Sequence, residues 1–152
     1  MTAEAPARGD ILSVSHDRLE LQPLLDELTE PSCGALASFI GTVRSPNLGQ
    51  EIDAIDYQGY EPMILSEMRR LADELHARHA IARLAIVHRL GRLRPGEASL
   101  LIVVSAGHRG PALLACQEAL ELAKSRLPVW KYETGSAGSA YVPGKADAGP
   151  TL

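Results

Sequence analysis

Residues 98 to 106, Ala-Ser-Leu-Leu-Ile-Val-Val-Ser-Ala, hold no charged side chain and no Gly or Pro. A nearly continuous apolar run of that length reads as a central strand buried on both faces, so the rest of the chain must cover it from two sides. The other periodic segments supply that cover. Ile11–Ser15 reads as a first strand, and Leu21, Leu24, Leu25 and Leu28 recur at i, i+3, i+4, i+7, a short amphipathic helix. Residues 35–44 read as a strand with Ala35, Ala37, Phe39, Gly41 and Val43 on one face, and a glycine inside a strand points to a bulge or a close backbone approach. Residues 45–50 are a loop by composition and 52–57 a further strand.

A second helix begins near Pro62, which suits a first helical position. Ile64, Met68, Leu71, Ala72 and Leu75 line one side of it, and Arg70, Glu74 and Arg78 form i,i+4 pairs on a face expected to be solvated. His76 and His79 are expected at its frayed end. Residues 81–89 read as a strand, 94–97 as a turn, about 111–126 as a third helix and 129–132 as a returning strand. The order β-α-β-β-α-β-β-α-β, with strands in adjacent pairs, favours an α+β fold over a doubly wound sheet. From 135 to 152 the chain is dominated by Gly, Ala, Ser and Pro, which reads as a flexible tail with Tyr141-Val142 as its one anchor; the folded domain is therefore set at 1–134.

Bulk properties exclude several function classes. A chain of 152 residues is one domain, long enough to bury roughly 68–70% of its unfolded surface. The formal net charge of −4 disfavours a general nucleic-acid binder. No apolar run approaches the roughly 18 residues of a membrane span, and the first residues lack the pattern of a secretion signal. Cys33 and Cys116 have no metal-ligand spacing and read as reduced, largely buried thiols in a cytoplasmic protein.

Against this acidic background the cations at the end of the chain stand out. On a helical wheel Leu113, Cys116, Leu120, Ala123 and Leu127 form a stripe, and Lys124 falls on its edge. Two readings fit it: a buried stem with a wet ammonium, or a lysine projecting into a cleft, usable as acid, base or nucleophile. His108-Arg109 stands at the start of the same helix, where unpaired N–H groups and the helix dipole favour an anion; a histidine capping a turn and an arginine on the surface are the alternative. Lys131 follows Trp130 after the Pro128 turn, and a chain reversal there would return it toward Lys124; a strand-edge lysine that discourages aggregation is the alternative. Arg44 ends its strand with the same two readings, and His88-Arg89 closes a strand with no catalytic role assigned. No Walker loop, Gly-x-Gly-x-x-Gly, Gly-x-Ser-x-Gly or His-Glu-x-x-His is present, nor a plausible metal-ligand set.

Six motifs in order resemble the large, catalytic subunit of molybdopterin synthase. They are Phe39-x-Gly41-x-Val43-Arg44; Asn47-x-Gly49; Tyr57-x-x-Tyr60-x-x-Met63; His88-Arg89-x-Gly91-x-Leu93-x-x-Gly96-Glu97; Ser105-x-x-His108-Arg109; and Lys124-x-x-x-Pro128-x-Trp130-Lys131-x-Glu133. The resemblance covers about 34–133 and implies an α/β-hammerhead-type fold with additional antiparallel β structure and three helices. It further implies sulfur transfer from the C-terminal thiocarboxylate of a small ubiquitin-like subunit to cyclic pyranopterin monophosphate, forming the dithiolene of molybdopterin. The implied assembly is a heterotetramer built on a homodimer of large subunits, with no resident cofactor, since the partner supplies the sulfur. Carried over position by position, Lys124 and Lys131 match active-site lysines. Thr42, Val43, Arg44, His108, Arg109, Lys124, Lys131, Tyr132 and Glu133 match substrate-binding positions. Tyr132 and the Pro111-Ala-Leu-Leu segment depart from the common family pattern. A binding module for a ubiquitin-like carrier is the alternative to the enzyme, and a phosphoesterase is disfavoured because no metal site or evident nucleophile accompanies the cations.

Overall fold

The structure is a computed structural model and describes residues 2–4, 9–47, 49–135 and 138–142. The uncharged run forms strand β7 (Ala98–Ala106), buried from Ser99 onward. It pairs antiparallel with β5 (Arg83–Arg89) on one side and with β3 (Ala35–Thr42) on the other. Beyond β5 lie β2 (Ile11–Ser15), parallel to it, and then β1 (Thr2–Glu4), giving the order β1-β2-β5-β7-β3. Among the described strands the parallel β2–β5 pair makes the sheet mixed, and the chain between these two strands contributes the first helix to one face, β3 to the far edge and the second helix to the other face. Gly41 does mark a bulge: the β3–β7 register shifts between Gly41 and Thr42. A Cβ at Gly41 would stand 3.2 Å from the Phe39 ring, tight enough that the ring would have to shift to admit it.

Alternation along β7 feeds two layers. Leu100, Ile102 and Val104 join the main core, with α2 (Glu61–Arg78) and α3 (Arg109–Arg126) on that face of the sheet. Val103, with Ala85, packs under α1 (Leu21–Leu28) on the other face. The apolar stripe read for α2 is buried, and Ile64, Met68, Leu71 and Leu75 each contribute about 1.5–3 kcal/mol by leaving water. The stripe read for α3 is displaced. Its buried residues are Ala112, Ala115, Cys116, Ala119 and Ala123, while Leu113 is exposed. A face of alanines and one cysteine lets the helix lie close on β3 and β7, which a leucine face would hold apart.

The charged side of α2 is not simply solvated. Arg126, the last residue of α3, donates to Glu67 at 2.7 Å and to Glu74 at 2.8 Å, clamping the end of α3 to α2. Arg70 pairs with Glu67 instead of Glu74, whereas the Glu74–Arg78 pair forms at 3.5 Å. Nor are the α2 histidines frayed. His76 donates to buried Asp10 at 2.9 Å, Asp10 also accepts from the Leu84 N–H, and His79 pairs with Glu118.

A second, four-stranded antiparallel sheet has the order β6-β4-β8-β9, from β6 (Gly91–Leu93), β4 (Ile52–Gln58), β8 (Trp130–Gly135) and β9 (Gly138–Val142). Two of these strands correct the reading above. Three-residue β6 is too short to announce itself, and β9 falls inside the segment read as a flexible tail. Residues 138–142 pair along β8 from Val142 opposite Lys131 to Gly138 opposite Gly135, so the ordered chain passes the boundary drawn at 134. Tyr141, the expected anchor, packs on Tyr132 with ring centroids 5.8 Å apart. The rest of that segment, 136–137 and 143–152, lies outside the described residues.

Candidate active site

The chain reversal at Pro128 builds the site. Helix α3 ends at Arg126, the Leu127 N–H returns to the Ala123 carbonyl, and β8 sets out from Trp130 opposite Gln58 of β4. The turn fits against Gly59, where a Cβ would stand 2.8 Å from the Pro128 carbonyl oxygen. Lys124 on the last turn of α3 and Lys131 on β8 thereby reach one cavity of about 270 Å³. Thr42, Val43 and Arg44 enter it from the end of β3, and Glu133 from β8 beside Lys131. Among the described lining residues three cations thus face one carboxylate, in a protein that is acidic overall.

Register decides which side chains share the cavity. Tyr57 is opposite Lys131 and Ile55 opposite Glu133 across the β4–β8 ladder, so all four project to one face. Tyr132, between them, projects to the other face and packs at a tilt against Tyr141. His108 and Arg109 are also absent from the lining. They stand exposed at the start of α3, and fifteen residues at 1.5 Å each put them about 22 Å along the helix from Lys124. Within one chain, one helix cannot bring both ends to one pocket.

Beneath the lysines lie Tyr57 and His88, which stand within the motifs but to which no role in the site was assigned. The Lys131 ammonium sits 6.0 Å from the centre of the Tyr57 ring, a cation–π distance. Tyr57 meets the His88 ring edge-on at 5.4 Å. Burial holds the Tyr57 hydroxyl above its ordinary pKa, opposed by a hydrogen bond with Ser99 and reinforced by Glu133. Burial also drives His88 down to about 4; its bond to the Arg89 carbonyl opposes this, and the charges of Lys124 and Lys131 add to it. A carbonyl only accepts, so the 2.8 Å contact puts the proton of the neutral ring on Nδ1. Asn47, quoted above only within a motif, lines the cavity too, donating to Glu133 at 2.9 Å and accepting from Arg44 at 3.2 Å.

A cavity of about 300 Å³ under α1 is slightly larger but largely apolar, lined by Ile11, Leu24, Val87 and Leu101 among others, and it gathers no such group of cations. The lysine cavity is the candidate for the chemistry. Among the described residues no group of three or more His, Cys, Asp or Glu is placed to hold a metal ion.

Comparison with known proteins places the sequence and the fold in one family. Residues 14–126 match the family described as MoaE protein. The chain belongs to the MoaE family. A relative from Pyricularia oryzae, named molybdopterin synthase catalytic subunit, is 34% identical over 142 residues, covering 93% of this chain and 78% of its own. The crystal structure of molybdopterin synthase from Staphylococcus aureus superposes with a TM-score of 0.81 at 27% identity, over 86% of this chain and 95% of that one. The same fold appears in a protein–protein complex of subunits 1 and 2 of molybdopterin-converting factor from Helicobacter pylori, with a TM-score of 0.71 at 24% identity over 86% and 88% of the two chains. The α+β class with three helices among the described residues, expected of a MoaE protein, is the fold observed. No helix among the described residues is long and apolar enough to cross a membrane.

Proposed function

We propose that this MoaE protein is the catalytic subunit of a molybdopterin synthase. It transfers sulfur from the C-terminal thiocarboxylate of a small ubiquitin-like subunit to cyclic pyranopterin monophosphate, in molybdenum cofactor biosynthesis. One observation carries the reading: in a chain of this family, Lys124 and Lys131 arrive from different elements at one cavity, with Arg44 at its rim.

The assigned roles follow from charge. Arg44 binds the substrate phosphate as a fork of N–H donors. Lys124 manages protons and stabilises negative charge as sulfur passes to the pterin, and Lys131, braced on Tyr57, holds the anion left on the partner's C-terminus, which ends as a carboxylate. Thr42 and Val43 shape the wall beside Arg44, whereas His108, Arg109 and Tyr132 keep only the role the family pattern gives them, anion or substrate contact outside this cavity. Sulfur comes from the partner, so the chain uses no resident cofactor. The working assembly is a heterotetramer around a homodimer of this chain, in the cytoplasm.

The test is a single-turnover reaction of this chain with a thiocarboxylated small subunit and the cyclic pterin. Dithiolene product is expected. A stable complex of the two proteins that forms no product would leave a binding module for the carrier instead.

A further inference from the structure

We propose that Asn47 is a positioning residue of this site: its amide holds Arg44 on one side and Glu133 on the other, and so fixes the direction from which the guanidinium meets the substrate phosphate. The inference rests on the synthase reading for the identity of the anion. Only one orientation of the amide satisfies both neighbours. A guanidinium can only donate and a carboxylate can only accept, so Oδ1 faces Arg44 Nη2 at 3.2 Å and Nδ2 faces Glu133 Oε1 at 2.9 Å.

The amide is itself held in place. The Asn47 N–H bonds to the Gln50 carbonyl at 2.8 Å, and the Gln50 N–H returns to the Asn47 carbonyl at 3.0 Å. Gly49, at φ 77°, lets the chain turn between them. Ser45 Oγ accepts from the Ile52 N–H at 2.9 Å and ties the loop to the start of β4. Asn47 is half-buried while Arg44 is exposed, so the anchored residue steadies the exposed one. A free arginine loses much side-chain freedom when it clamps an anion, and one held beforehand loses less. One of its five N–H donors is committed to Asn47, and the others remain for a phosphate.

The arrangement also explains an acidic side chain in an anion site. Glu133 anchors Asn47 and acts on the phosphate through it.

The experiment uses the full chain with its small partner, carboxylated for calorimetric affinity for the cyclic pterin monophosphate and thiocarboxylated, in excess, for steady-state kinetics. Asn47→Ala is expected to weaken pterin binding and raise KM about tenfold, the cost of one charge-assisted hydrogen bond, with kcat within about twofold. Asn47→Asp is expected to cost more, because it opposes a second carboxylate to Glu133. In a Glu133→Gln background the same Asn47→Asp change should cost several-fold less, since an amide at 133 can donate to the carboxylate at 47 while that carboxylate still accepts from Arg44. A loop residue that matters only for folding would lower the melting temperature and kcat and show no such dependence on residue 133. An unchanged KM in Asn47→Ala, or an equal cost of Asn47→Asp in both backgrounds, overturns the proposal. A wild-type protein that neither binds nor converts the pterin overturns the synthase reading itself, a distinct result.

Discussion

Under the two lysines the protein keeps a histidine uncharged. With its pKa depressed from 6.5 to about 4, His88 binds a proton in the unfolded chain at pH values where the folded chain refuses it. Stability from this group is therefore fully present above about pH 6.5 and is lost as pH falls toward 4, in total on the order of 3 kcal/mol. His88→Gln removes the titration. We expect the melting temperature of the wild type to fall more between pH 7 and pH 5 than that of the variant; parallel curves would refute the buried neutral ring. Residues also mark the limit of what the sequence disclosed. Lys124, Lys131 and Arg44 were legible because cations are conspicuous in an acidic chain. Asn47, Tyr57 and His88 were not, because their part in the site depends on which strand faces which: Tyr57 joins only through its register with Lys131, and Asn47 through a partner 86 positions away.

Elements were read well where one period ran long enough. The α2 stripe and the buried β7 are as expected, whereas α3 misled because alanine gives the eye no stripe and Leu113 and Leu114 stand exposed. Strand β9, Gly-Ser-Ala-Tyr-Val, has no apolar run of its own and is a strand because β8 offers it an edge. The distance between His108-Arg109 and Lys124 was readable from helical rise alone. At this scale the decisive contact is the fit of the Pro128 turn against Gly59, which sets where Lys131 begins its strand. Both sides of the contact with Pro128 would be backbone or Cβ, with no flexible group to yield. Gly59→Ala should cost roughly 1–3 kcal/mol in chemical denaturation and lower turnover with it. A variant as stable as the wild type would show that the turn is not tightly packed.

The whole molecule carries net negative charge while its site gathers cations, so attraction of an anionic substrate must be local. Rising salt screens exposed charges beyond about 8 Å at 0.15 M and about 3 Å at 1 M. KM for the cyclic pterin should rise several-fold over that range with a smaller change in kcat, and a KM indifferent to salt would contradict phosphate capture by Arg44 and the lysines. The central claim is that Lys124 performs chemistry in a site that docks its partner by other means. The measurement that tests it most directly compares wild type and Lys124→Ala for affinity to the thiocarboxylated partner and for single-turnover sulfur transfer. We expect partner affinity within about twofold and a transfer rate lower by about 10² or more, the scale of lost proton transfer and charge stabilisation. Equal loss of affinity and rate would contradict the account and make Lys124 a docking residue.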